Sequence, residues 1–147
     1  MTLQASSEAV FATSRIVAFA PGQVFQAFAD PQQLAAWWGP AGFRNTFEVF
    51  EFKHQGQWRF VMHGPDGKDY LNESTFLEVE PRRIVVRHDS APQFTLTITL
   101  NDMAGQTRVD WRQAFDDAQV AQSLAHIVVP ANEQNLDRLA AVLMART

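Results

Sequence analysis

The stretch that decides the fold runs from Asp30 to Asn45, DPQQLAAWWGPAGFRN. It places two adjacent tryptophans, Trp37 and Trp38, at the end of a short Ala/Leu-rich run and directly before a Gly-Pro step. Each indole buries on the order of 200 Å² when it packs, so a surface position is unfavourable for both. The pair therefore closes a core or lines a cavity, and deciding between these is the main functional question.

The same stretch also predicts a pair of short helices. Asp30 is a suitable N-cap and Pro31 a suitable first residue for one helix, which the Gly-Pro step ends. A second helix is predicted just before it, over PGQVFQAFA at residues 21–29, because its apolar side chains recur at helical spacing. Residues 8–19 are rich in β-branched and aromatic types and predict a strand that precedes both helices.

Six further strands are predicted from alternating apolar side chains and from turn signals such as GPDG. The clearest is QFTLTITLN, which sets four apolar side chains opposite three threonines. Successive strands with one apolar face form an antiparallel sheet that needs a cover. The six strands are predicted at residues 47–53, 57–63, 69–80, 83–88, 93–101 and 107–115.

The C-terminal part of the chain is predicted to supply that cover. After a helical or irregular lead-in at residues 116–129, Pro130 begins a segment whose apolar side chains recur at spacings of three, four and seven. We expect one long helix over roughly residues 130–146, lying across the sheet. No linker or repeat interrupts the order, so residues 1–147 are expected to form a single domain.

Composition excludes several classes of function. The net charge is −4 and no Lys/Arg-rich run occurs, which argues against nucleic acid or an anionic membrane as partner. Cysteine is absent, so disulfides, thiolate chemistry and Cys-ligated zinc are excluded. No signal sequence and no apolar run of about 18 residues is present, so we expect a cytoplasmic protein. The 12 Phe and 4 Trp residues against one Tyr favour an apolar interior with few hydroxyl groups.

The order of elements, together with four segments, resembles a known family. The segments are VFQAFADPQQLAAWWGP, GQWRFVMHGPDG, FLEVEPRRIVVRH and NEQNLDRLAAVL. They resemble the START-like (SRPBCC) superfamily, and within it the bacterial homologues of the activator of the heat-shock-protein-90 ATPase. The resemblance implies an α+β helix-grip fold, in which a curved antiparallel sheet of about seven strands wraps around the C-terminal helix. The superfamily includes lipid binders, hormone receptors, polyketide cyclases and co-chaperone domains, so the fold alone does not select an activity.

A ligand site is expected between the sheet and the last helix. Adjacent tryptophans on a helix point roughly 100° apart, so one can enter the interior while the other covers the rim. Period-two alternation places aromatic and polar side chains of several strands on the same inner face. The expected site residues are Trp37, Trp38, Trp58, Met62, His88, Phe94, Trp111 and Gln113. A core filled by these same side chains is the alternative.

The sequence leaves the roles of several polar side chains on these elements undecided. His88 shares the face of Ile84 and Val86, so it is predicted to point inward, where burial would lower its pKa. It is either a core-edge histidine or a ligand-contacting, acid-base group. Gln113 lies on an apolar face and needs a hydrogen-bond partner. The other histidines, His54, His63 and His126, do not form a metal motif with it.

Two further choices are left open by the pattern. In the strand at 69–80, either one parity or the other faces inward, and both sets are comparably apolar. A polar cluster before the apolar stripe of the last helix is either a helix start or a hydrogen-bonding lip over the pocket. The two strand sets are Tyr70, Asn72, Ser74 and Phe76 against Leu71, Thr75 and Leu77, and the polar cluster is Asn132, Gln134 and Asn135.

The function expected from these features is the binding of a small apolar or aromatic molecule by a non-catalytic domain. No catalytic residue, metal ligand or cofactor is predicted. One alternative is a cyclase or dehydratase that uses His88 or a pocket amide. The other is a chaperone-associated interaction domain, and a homodimer is also left open.

Overall fold

Seven strands form one curved antiparallel sheet in the order β1-β7-β6-β5-β4-β3-β2. The computed structural model describes residues 9–145, so the ends of the predicted first strand (Glu8) and last helix (Arg146) lie outside it. Strands β2 to β6 each pair with the next strand along the chain, and β7 also pairs with β1. The strands are β1 Val10–Val17, β2 Arg44–Phe50, β3 Gly56–His63, β4 Asp69–Glu80, β5 Arg83–His88, β6 Phe94–Met103 and β7 Gln106–Phe115.

Two short helices follow β1, as the sequence predicts. Helix α1 spans Pro21–Ala29 and α2 spans Pro31–Trp37, so each begins on a proline whose missing N–H a helix start does not need. The side chain of Asp30 accepts a hydrogen bond of 3.0 Å from the backbone N–H of Gln32, which confirms its role as N-cap.

The last helix, α3, covers Ala118–Ala145 without interruption, so the prediction that it begins at Pro130 is wrong. A proline inside a helix removes one backbone hydrogen bond and bends the helix. Packing on both sides of Pro130 offsets that loss. Ala121 is buried near Phe115 in one cluster, and the apolar stripe of the second half enters the main core.

Two strands correct or settle the predicted faces. In β4, Ser74 and Phe76 are buried whereas Leu71 is exposed, which selects the first of the two alternatives. Strand β2 lies at residues 44–50 rather than 47–53, and a register shift between Phe47 and Val49 interrupts its alternation. The shift explains why a simple period of two mispredicted this strand.

Replacement of Leu139 by alanine is expected to lower the free energy of unfolding by about 2–5 kcal/mol. Leu139 is fully buried in the main core, so the truncation leaves a cavity under α3. Chemical denaturation measures the loss. The control is Leu77→Ala at an exposed position of β4, which should change stability by less than about 1 kcal/mol. Equal losses in the two variants would contradict the placement of α3 on the sheet.

Within the part of the chain that the structure describes, no helix has the length and apolar character needed to cross a membrane.

Candidate functional site

A cavity of about 260 Å³ lies between the sheet and α3, with the loop after α2 at one end. Strands β3 to β7 form its floor and α3 forms its roof. None of the side chains that line it is an aspartate, glutamate, lysine or arginine. The lining residues are Trp38, Gly39, Pro40, Phe60, Met62, Asn72, Ser74, Val86, His88, Phe94, Leu96, Trp111, Gln113, Ala131, Asn132 and Asn135.

Six of the eight side chains expected at the site lie on this wall, and Trp37 and Trp58 do not. Trp37 is fully buried, and its indole N–H donates a hydrogen bond of 2.9 Å to the carbonyl of Ala27. Trp58 stacks between Phe60 and Phe76, with ring centroids 4.4 and 5.3 Å away. Both indoles are therefore part of the filled core. The six on the wall are Trp38, Met62, His88, Phe94, Trp111 and Gln113.

Trp38 packs against the core and also lines the cavity. Helix α2 ends at Trp37, and Trp38 is the half-buried residue that follows it. Its ring lies 5.6 Å from Trp37, 5.0 Å from Trp58 and 5.7 Å from Trp111, measured between centroids. The adjacent tryptophans thus divide the two roles considered from the sequence, one closing the core and the other lining a cavity.

His88 stands on the cavity floor at the end of β5. Its ring stacks on Phe94 with centroids 4.5 Å apart and an angle of 5° between the planes. Nδ1 lies 2.9 Å from the carbonyl oxygen of Pro92, and Nε2 lies 2.7 Å from Oδ1 of Asn72. Burial lowers the pKa of His88 below its usual value, and backbone hydrogen bonds at Pro92 and Ser90 oppose that effect.

Amide side chains of α3 reach down towards the cavity floor. Asn132 donates a hydrogen bond of 3.0 Å from Nδ2 to Oε1 of Gln113, and Asn135 donates from Nδ2 to the carbonyl of Trp37 at 2.9 Å. Gln134 instead accepts a bond from the backbone N–H of Ala41. These residues lie in the interior of α3 and do not form a helix start. Two of the three line the cavity, as the lip alternative expected.

Arg138 organises the loop at the cavity end, and sequence reasoning missed it. Its guanidinium donates to five backbone carbonyls at distances of 2.8–3.1 Å. The acceptors are the carbonyls of Ala36, Trp38, Gly39, Pro40 and Phe43. Burial lowers the pKa of Arg138. Arg138 thus fixes the loop that carries Trp38. The only sequence signal near it was the hypothesis that the neighbouring amides form a lip over the pocket.

Gly39 allows this loop to approach the sheet. Its φ of +94° is rarely adopted by residues with a β-carbon, and a Cβ built there would lie 2.6 Å from Cε of Met62. The positive φ therefore favours glycine at this position, and a larger residue would also displace the methyl group of Met62.

The model of the family described as "Activator of Hsp90 ATPase homolog 1-like protein" matches residues 18–144. The chain belongs to this family. The match covers every element that forms the cavity wall, from the helical pair to α3. This confirms the resemblance that the sequence segments indicated.

Solved structures similar to this chain match it over almost its whole length. A protein from Arthrobacter aurescens is 23% identical with a TM-score of 0.87, covering 95% of this chain and 88% of its own. A protein from Nitrosomonas europaea is 19% identical with a TM-score of 0.87, covering 95% and 97%. An AHSA1 protein from Silicibacter pomeroyi is 21% identical with a TM-score of 0.77, covering 95% and 100%. At such identities these likenesses show the fold. No curated protein matches the chain.

No metal centre emerges from the described residues of this family member. Between Ala9 and Ala145, no three His, Cys, Asp or Glu side chains are grouped so that they could hold an ion.

The stability of the protein is expected to fall in mild acid partly because of His88. Its pKa is lowered in the folded state, so the unfolded chain takes up this proton first. The contribution is complete above the usual pKa of about 6.5 and is lost as the pH falls through the lowered pKa. Denaturation from about pH 8 to about pH 5 should therefore show a steeper decline in wild type than in His88→Gln.

The control for this comparison is His126→Gln, at an exposed position of α3. This variant should keep the wild-type slope. Parallel curves for wild type and His88→Gln would refute the role given to burial of the imidazole.

Proposed function

We propose that this protein binds a small apolar or aromatic molecule in the cavity between the sheet and α3. The observation that carries the proposal is the volume of about 260 Å³ with a wall that is mainly aromatic and aliphatic. Ligand pockets are typically of this composition, and those for drug-sized molecules run from about 300 to 1,000 Å³. An engineered apolar cavity of about 150 Å³ binds benzene. The cavity of this protein lies between these two volumes, so it can hold a ligand with one or two aromatic rings.

The packing around the cavity supports the same function. Protein cores rarely contain voids much larger than a water molecule. Here the neighbouring core is filled by stacked rings such as Trp58 on Phe76, with 5.3 Å between centroids. The cavity is therefore not a result of loose packing throughout the core, because the core beside it is filled. Proteins of this fold commonly bind hydrophobic ligands, which favours the same interpretation.

The proposal is tested by filling the cavity from its roof. Ala131 lines the cavity from α3, so Ala131→Trp is expected to weaken naphthalene binding at least about tenfold by occupying the space. The matched control is Ala141→Trp, at an exposed position of the same helix, which should bind as wild type does. Isothermal titration calorimetry measures the affinities, and circular dichroism checks that each variant is folded. Absence of binding in wild type, or equal binding by Ala131→Trp, would refute the proposal.

An enzymatic role is the second candidate because the cavity wall carries a titratable side chain. His88 lines the cavity and burial lowers its pKa, so its imidazole is mainly neutral near neutral pH. The variant His88→Gln keeps a polar side chain and removes the titration. A pH-dependent turnover lost in this variant would favour catalysis, whereas a modest change in affinity supports binding.

A further inference from the structure

We infer that the ligand is an uncharged molecule whose apolar rings lie on the cavity floor and whose polar group bonds to the Gln113–Asn132 amide pair. This inference rests on the proposed function and narrows it. The proposed function covers any small apolar or aromatic molecule. The polar groups on the cavity wall restrict which charge and which substituents that molecule can carry.

Among the described residues, the cavity wall offers no charged side chain that could pair with an ionic ligand. No lining side chain is Asp, Glu, Lys or Arg, and the one imidazole, His88, is disfavoured as a cation by burial. A carboxylate or ammonium group entering this space would lose its hydration without gaining a partner of opposite charge. Arg138 is the cation of the adjoining loop, but its N–H groups face five backbone carbonyls at 2.8–3.1 Å.

Two amide side chains that line the cavity have unused hydrogen-bonding capacity. Gln113 is 8% exposed, and within residues 9–145 its side chain makes one hydrogen bond, to Asn132. That bond uses one carbonyl and one N–H, so one amide NH₂ group and one amide carbonyl remain for another partner. Both residues line the cavity. Neither free group is among the fully buried polar atoms without a partner in the described residues, so both are accessible to a ligand that can accept or donate a hydrogen bond at this point.

The amide pair lies beside the apolar floor of the cavity. Gln113 on β7 pairs with Leu96 on β6, which pairs with Val86 on β5. Adjacent strands are about 4.8 Å apart, so this floor extends roughly 10 Å from the amide. Gln113 comes from the sheet and Asn132 from the helix, so their free groups converge at one end of an apolar surface. A flat ring system with one terminal hydroxyl, carbonyl or amide group matches this geometry.

The test compares three probes with one ring system, namely naphthalene, 1-naphthol and 1-naphthoate. The full chain is titrated with each at neutral pH by calorimetry. 1-Naphthol should bind about three- to tenfold more tightly than naphthalene, as one added hydrogen bond predicts. 1-Naphthoate should bind at least about tenfold more weakly than 1-naphthol, because its charge has no partner.

Variants locate the polar contact. Gln113→Leu should abolish the advantage of 1-naphthol over naphthalene while naphthalene still binds, and Asn132→Ala, at a half-buried helix position, should reduce it. Gln122→Leu on the exposed face of α3 is the control and should leave both affinities unchanged. If Gln113→Leu does not fold, the inference is tested by the ratio of 1-naphthol to naphthalene affinity, compared between wild type and Asn132→Ala.

The outcomes separate this inference from the proposed function. Naphthalene binding with no preference for 1-naphthol, or with tighter binding of 1-naphthoate, overturns the inference and leaves an apolar binding site intact. An advantage of 1-naphthol that survives both variants also overturns it, since the polar contact then lies elsewhere. Failure of all three probes to bind refutes the proposed function, and the inference falls with it.

Discussion

Replacement of Trp37 by alanine is expected to lower the free energy of unfolding by about 4–5 kcal/mol, since truncation of a buried tryptophan typically costs about 3–5 kcal/mol. Trp37 is fully buried and packs edge-on against Phe28 at 4.9 Å between centroids. The loss of its hydrogen bond to the carbonyl of Ala27 places the effect at the upper end of that range. Urea denaturation followed by circular dichroism measures the change.

Trp38→Ala is the matched comparison for this experiment. The half-buried ring of Trp38 lines the cavity, so its removal should cost about 1–2 kcal/mol and weaken naphthalene binding. The two adjacent tryptophans should therefore differ in which property they change. Equal losses of stability in both variants would refute the division between core and cavity wall.

Arg138→Met is expected to lower the free energy of unfolding by about 3 kcal/mol. Methionine keeps much of the apolar stem, so the variant removes mainly the five hydrogen bonds to backbone carbonyls. Hydrogen bonds from a charged donor contribute about 1.5–3 kcal/mol each, and desolvation of the guanidinium offsets part of the sum. Because the segment around Trp38 loses five of its hydrogen bonds to α3, naphthalene affinity should fall as well.

Two further variants interpret that result. Arg138→Lys keeps the charge but has three donors in place of the planar fork, so it should recover only part of the stability. Arg112→Met, at an exposed position of β7, should change stability by less than about 0.5 kcal/mol. If Arg138→Met were as stable as Arg112→Met, the loop would be held by other contacts.

The parts of the fold that were predictable are those specified by local signals. The capping aspartate and the prolines place α1 and α2, and turn residues on either side place β4 at Asp69–Glu80 and β5 at Arg83–His88. The inward orientation of His88 follows from alternation in a short, regular strand. In each case the relevant interaction joins residues that are close in the sequence.

The features that were mispredicted depend on contacts distant in sequence. Pro130 reads locally as a helix start, and only packing on both sides shows that α3 continues through it. The face of Trp58 was predicted correctly, but stacking with Phe76 from the next strand, not alternation, decides that it fills the core. Arg138 had no local signal, because its five acceptors lie about 100 residues earlier in the chain.

The pairing of β1 with β7 also determines when β1 can join the sheet during synthesis on the ribosome. Strand β1 has its sheet partner in the last strand, and Thr13 bonds to Glu133, 120 residues further along. At about 5–20 residues per second, synthesis of the chain from β1 to the end of β7 takes on the order of 10 s. During this time the apolar face of β1 has no partner, while β2 to β6 can already pair with their chain neighbours. Nascent chains of this protein should therefore present β1 to cellular holding factors until β7 has been synthesised.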